Sequence, residues 1–163
     1  MGWSKCSPDV KPRTQPTSTT CWYSCLQMLF EWKGKDTASI ISTMDSSPNL
    51  FPDYMLKNGI APSECKETAK SLGMRWAGDG ELDAGYFAEA IKKNGPYWVA
   101  GMWRKGFSHV IVVTAVDPDQ GKIKYVDPWM NHDLSESNGT MSWLNDRGKI
   151  WKETDGSLIY WAG

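Results

Sequence analysis

Gln15-Pro-Thr-Ser-Thr-Thr-Cys21-Trp-Tyr-Ser-Cys25-Leu-Gln-Met-Leu-Phe-Glu-Trp32 is the stretch on which the reading of this chain turns. Small polar residues run into a cysteine, and an apolar pattern begins there, with Cys21, Cys25, Met28, Leu29 and Trp32 at spacings of three and four. That spacing predicts a helix from about Thr20 to Lys33 with one buried apolar face. Thr19 and Thr20 are suited to cap its start, and Gly34 to end it. Cys21 then falls in the first turn, where unpaired N–H groups and the helix dipole favour an anion. A thiol so placed gives up its proton more readily, and the thiolate is the nucleophile. Gln15, six residues earlier, offers a side-chain amide as a hydrogen-bond donor beside the attacked carbon. The stretch reads as a nucleophile with half an oxyanion hole.

Before it, residues 1–14 contain Pro8 and Pro12 and are expected to be extended and irregular. After it, Asp36 can cap a short helix through Met44, and Pro52 to Asn58 reads as another, ending at Gly59. A helix starting at Pro62 should stop at Gly73, followed by a short strand from Met74 to Ala77. Asp83 to Asn94 is a further helix with Phe87, Ala90 and Ile91 inward and Gly95 as its stop. The character then changes. Pro96 to Trp103 and the β-branched run His109 to Val116 read as strands. Asp117-Pro-Asp-Gln-Gly121 is turn chemistry, so Lys122 to Val126 should return as a hairpin. From Ser142 a short helix and a last strand around Leu158 to Trp161 are expected. Helices first and antiparallel strands second make a single α+β domain of two lobes over residues 1–163.

The chain has only two histidines. His132 lies in a polar loop and reads as a surface residue, whereas His109 opens the most strand-like segment. Asp127 follows the return strand in Tyr125-Val-Asp-Pro-Trp129, so the hairpin can set it beside His109. A carboxylate there fixes the imidazole's tautomer and stabilises its charged form. With Cys21 across a cleft, the set is nucleophile, base and orienting group.

These residues carry a resemblance. The chain resembles the papain-like cysteine proteases, above all the compact bacterial effector proteases among them. The shared elements are Gln15 six residues ahead of the cysteine, Cys21-Trp22 opening a helix with Cys25 four residues on, Ser108-His109 before a β-branched strand, and Asp127-Pro-Trp129 some eighteen residues later. They span residues 15–129. The resemblance implies a papain-like fold, with the nucleophile helix in a helical lobe and an antiparallel β lobe beyond it. It implies Cys21 as nucleophile, His109 as general base and acid, Asp127 as orienting residue, and an oxyanion hole of Gln15 with the Cys21 N–H. It gives Trp129 the part of shielding the His–carboxylate contact. Trp22 and Trp129 are candidate cleft walls. Many relatives carry Asn where Asp127 stands.

Composition fits that reading. A hydrophobic fraction of 40%, a charged fraction of 23% and a net charge of −1 describe a globular domain without a basic stripe for nucleic acid. No run is long enough for a membrane span. Four irregularly spaced cysteines make no disulfide framework, and Cys25 and Cys65 read as core fillers. A structural zinc module is the non-enzyme alternative, weakened because Cys21 and Cys25 share a helix and have no second pair; an inactive binding domain is another. No metal or organic cofactor is expected. Expected instead is endopeptidase cleavage of a protein substrate, with cell-wall amidase, deamidase and transglutaminase chemistry as alternatives that use the same machinery. Only twenty residues precede Cys21, fewer than the inhibitory pro-segments of larger relatives. The expectation is therefore a bacterial effector or toxin domain, secreted into a target cell without a classical signal peptide. A separate inhibitor or immunity protein over the Cys21 cleft would restrain it at home.

Overall fold

In the run from Val110 to Val116 every residue is apolar or β-branched, without the alternation of a half-solvated strand. Such a strand is covered on both faces, and in the computed structural model all seven residues are buried. The structure describes residues 2–78, 82–104, 107–129, 136–148 and 156–163. The expectation for His132 falls outside them. The buried run forms β4 (Phe107–Asp117), the spine of a seven-stranded antiparallel sheet.

The sheet order is β2 (Arg75–Ala77), β7 (Leu158–Tyr160), β3 (Tyr97–Arg104), β4, β5 (Lys122–Val126) and β6 (Glu136–Thr140). Turn residues 117–121 close the β4–β5 hairpin, with Asp117 Oδ1 accepting the N–H groups of Asp119 and Gln120 at 3.1 and 3.3 Å. Two strands depart from expectation. Ser4–Lys5 forms β1, paired with Val116 and Ala115 of β4, so the first fourteen residues are not irregular throughout. β6 pairs with β5 from Lys122↔Thr140 to Val126↔Glu136.

The helices are α1 (Cys21–Lys33), α2 (Ser39–Asp45), α3 (Pro52–Asn58), α4 (Cys65–Ser71), α5 (Ala84–Asn94) and α6 (Met141–Gly148), with one 3₁₀ turn at Pro62–Glu64. Gly34 ends α1 in the left-handed region (φ 78°), its N–H bonded to the Glu31 carbonyl while Lys35 N–H reaches Phe30. α5 is capped by Asp83, whose carboxylate accepts the Tyr86 N–H at 2.9 Å. Its buried residues are Phe87, Ala88 and Ile91, so the inward stripe is turned slightly from the expected one. Asp36 caps the turn before α2 rather than the helix itself, accepting the Ala38 N–H.

α1 is buried on more than one face: Trp22, Leu26 and Phe30 are enclosed as well as Cys21, Cys25, Met28 and Leu29. It lies against β4, where the Cys25 thiol donates to the Val110 carbonyl at 3.4 Å. Tryptophans fasten it. Trp98 Nε1 donates to the Trp22 carbonyl at 3.1 Å, Trp161 Nε1 to that of Leu29 at 3.1 Å, and Trp22 Nε1 to that of Met55 at 3.2 Å. Each indole therefore buries its ring without orphaning its N–H. The start of α1 is thus pinned between sheet and α3.

Candidate active site

The antiparallel register brings the first pair together. Val112 pairs with Val126, so one step further sets Asp127 opposite Ile111, with His109 as its diagonal neighbour on the same face. From there His109 Nε2 meets Asp127 Oδ1 at 2.7 Å. The same oxygen accepts the Trp129 N–H at 3.0 Å, which fixes the carboxylate from behind. The Trp129 ring stands edge-on to the imidazole, with centroids 6.0 Å apart at 81°. His109 is buried and Asp127 partly so.

The Cys21 side chain also acts on His109, favouring its protonated form. With Nε2 held by Asp127, Nδ1 is the nitrogen left for the thiol. Three influences set the ring's charge. Burial is the largest and opposes protonation, but the hydrogen bond to Asp127 and the influence of Cys21, with the charges of both, outweigh it and raise the pKa from 6.5 to about 9. An imidazolium facing Cys21 is therefore the favoured form at neutral pH. The other thiols are silenced by burial: Cys6 rises to about 11, and Cys25 and Cys65 rise further.

Cys21 is the first residue of α1. Thr20 stands at the N-cap position, but its hydroxyl makes no bond to the helix N–H groups. It is engaged in a turn with Thr17, accepting the Thr17 N–H at 3.2 Å and donating to the Thr17 carbonyl at 3.1 Å. Thr19 is no cap either; its hydroxyl donates to the Leu56 carbonyl at 2.6 Å. The capping role expected of these threonines is thus not filled, because the loop uses their hydroxyls to hold its own shape. The first-turn N–H groups around Cys21 remain without a side-chain cap, the arrangement that suits a developing anion.

Gln15 is fully buried. Its N–H donates to the carbonyl of Pro128, next to Asp127, at 2.6 Å, and its Nε2 donates to the Thr17 carbonyl at 2.7 Å. One amide hydrogen is thereby committed and the second is spare, while Oε1 has no partner. Arg13, two residues earlier, grips Glu31 of α1 through both Nε and Nη2, at 3.3 and 2.9 Å. The structure therefore gathers Gln15, Cys21, His109, Asp127 and Trp129 at one place. Trp22 is a correction: its side chain has no exposed surface, so it belongs to the core under the site and offers no wall to a cleft. Sequence reasoning missed the Thr19–Leu56 and Arg13–Glu31 ties, whose partners lie 37 and 18 residues away and leave no local signal.

A buried imidazole held by a carboxylate, its charge favoured also by a cysteine at the uncapped start of a helix, is equipped for nucleophilic acyl transfer. A family model described as papain-like cysteine protease AvrRpt2 matches residues 5–148. The chain belongs to the papain-like cysteine proteases. The protease is a hydrolase of the cysteine peptidase class, and its mixed helix and antiparallel sheet are similar to a solved peptidase domain, that of Streptococcus ComA, a bi-functional ABC transporter involved in a quorum sensing pathway. That likeness has a TM-score of 0.54 at 13% identity and covers 94% of the protease and 97% of the ComA chain. It concerns fold alone. No curated protein matches the chain. Among the described residues no three His, Cys, Asp or Glu side chains are grouped to hold a metal ion, and no helix is long and apolar enough to cross a membrane.

Proposed function

We propose that the protease is an endopeptidase with Cys21 as nucleophile, His109 as general base and acid, and Asp127 as the group that orients His109. The Cys21 thiolate attacks a peptide carbonyl, a C–S bond forms, and the carbonyl electron pair moves onto oxygen. The spare Gln15 amide hydrogen and the Cys21 N–H receive that oxyanion. As the tetrahedral species collapses, the C–N bond breaks and protonated His109 gives its proton to the leaving amine. Neutral His109 then deprotonates a water, which attacks the thioester, releases the acid and restores the thiolate with imidazolium. The observation that carries the reading is His109 itself, held at 2.7 Å by Asp127 and kept protonated by that carboxylate together with Cys21.

The resemblance to compact bacterial effector proteases supports a further part of the proposal. The domain acts as a toxin in a target cell after delivery from a bacterial cytoplasm, and a cognate inhibitor covers the Cys21 cleft in the producer. Intact chain and Cys21→Ala would be incubated with unfolded casein and, separately, with purified cell-wall sacculi. Casein peptides that appear only with Cys21 intact are expected. Release of cell-wall fragments without casein cleavage would replace the reading by a cell-wall amidase. Expression in the cytosol of candidate target cells, again against Cys21→Ala, tests the toxin part: growth arrest that requires Cys21 is expected, and harmless expression would refute it.

A further inference from the structure

In the endopeptidase reading two N–H groups receive the oxyanion, one on the Gln15 side chain and one on the Cys21 main chain. A single residue stands between them. Thr20 is buried, though polar, and directly precedes Cys21. Its carbonyl accepts the Ser24 N–H at 3.0 Å. That carbonyl and the Cys21 N–H belong to one planar trans peptide, so the bond to Ser24 turns the N–H outward from the helix start. The Thr20 hydroxyl serves the other donor.

That hydroxyl clips the turn before α1 from both sides of residue 17, accepting the Thr17 N–H at 3.2 Å and donating to the Thr17 carbonyl at 3.1 Å. The same carbonyl accepts Gln15 Nε2 at 2.7 Å. Among the described residues nothing else sets the direction of the Gln15 amide. Its Oε1 is buried without a partner, and the bond to Pro128 holds the main chain of Gln15, not its side chain. An amide oxygen turned toward the Thr17 carbonyl would meet a second acceptor, so the nitrogen has to lie there. The aim of the spare amide hydrogen therefore follows the Thr17 carbonyl, and that carbonyl is fixed by Thr20.

We propose that Thr20 is a positioning residue for the oxyanion hole, its hydroxyl aiming the Gln15 amide through the Thr17 carbonyl. The inference rests on the endopeptidase reading and adds to it a residue that acts through another. Loss of the hydroxyl frees the Thr17 peptide. The Gln15 amide then turns about its last side-chain bond with no second anchor to stop it. A misaimed donor weakens the transition state more than the bound substrate, because the negative charge forms only on attack. The Thr20 carbonyl, and with it the Cys21 N–H, keeps its place.

Thr20→Val removes the hydroxyl at nearly constant shape and Thr20→Ser keeps it. Thermal melts confirm that both are folded, and Thr20→Ala replaces the valine variant should that one not melt cooperatively. Rates are read with a fluorogenic peptide copied from the casein segment that the intact chain cuts. Thr20→Val is expected to lower kcat about 10–100-fold with KM within about twofold, and Thr20→Ser to recover most of that loss. In a Gln15→Ala background Thr20→Val should cost no more than about twofold, since the two residues act as one unit. Alkylation of Cys21 by iodoacetamide, an attack at saturated carbon that forms no oxyanion, should run equally fast in the intact chain and Thr20→Val. An unchanged kcat in Thr20→Val, the same loss repeated in the Gln15→Ala background, or alkylation slowed as much as hydrolysis overturns the proposal. If casein is not cut, or Cys21 of the intact chain alkylates no faster than Cys25, the endopeptidase reading fails and the positioning role falls with it.

Discussion

Replacing Asp127 by alanine probes the charge balance on which the site depends. His109 is held at about 9 against an ordinary 6.5. That displacement corresponds to a factor of roughly 300, or on the order of 3 kcal/mol, in favour of the imidazolium. Burial opposes the charge, so the Asp127 hydrogen bond and the influence of Cys21, with the charges of both, supply more than the net amount. Without Asp127, the full cost of burying the ring is met by Cys21 alone, and the titration midpoint of His109 is expected to fall below 7. Asp127→Asn keeps an oxygen for the Nε2–H but loses the charge, so it should fall between. The measurement is a side-chain ¹⁵N NMR titration. With only two histidines in the chain, His132→Gln assigns the signals. A native His109 midpoint at or below 6.5, or one that Asp127→Ala leaves unmoved, would refute the reasoning.

The same displacement has a sign for stability. A group whose pKa is raised on folding stabilises fully below its unfolded value, here about 6.5, and that contribution is lost as pH rises through about 9. The stability difference between the intact chain and Asp127→Ala, taken from urea melts, should therefore be largest near pH 6 and shrink toward pH 9.5. Taking the difference cancels the other buried thiols, which both proteins share.

Gln15→Ala should lower kcat about 10²–10³-fold with little change in KM, as loss of one oxyanion donor does, and Gln15→Glu, which accepts instead of donating, should not restore it. Gly95→Ala should destabilise by about 2–4 kcal/mol, lowering Tm by about 5–15 °C in thermal melts. Gly95 has φ +91°, and an added Cβ would stand 2.2 Å from the Trp32 ring. Trp22→Phe keeps the buried ring but leaves the Met55 carbonyl without the indole donor. It should cost about 1–3 kcal/mol in chemical denaturation.

What was legible in the sequence was local or motif-borne. The apolar spacing from Cys21 to Trp32 gave α1 to within a residue, Gly34 and Gly95 marked real helix ends, and the turn residues at 117–121 set the β4–β5 hairpin. That hairpin is what puts Asp127 within reach of His109. Less legible were features decided by distant partners. Ser4–Lys5 is too short to carry a periodicity and is a strand only because the side of β4 beyond β3 accepts it. Glu136-Ser-Asn-Gly-Thr140 has turn-like composition and becomes β6 by pairing with the edge of β5. Thr19 and Thr20 carry a helix-start signature, yet their hydroxyls bond Leu56 and Thr17. Trp22 looked like a cleft residue beside the nucleophile, but its neighbours Met55 and Trp98 lie 33 and 76 positions away and enclose it.

The most direct test of the central claim is covalent titration of the four cysteines with an epoxysuccinyl inhibitor, mapped by mass spectrometry, beside Cys21→Ala and His109→Ala. The account predicts fast labelling at Cys21 alone, absent in the first variant and slowed in the second, with Cys6, Cys25 and Cys65 unmodified. Slow labelling spread equally over all four cysteines would contradict it.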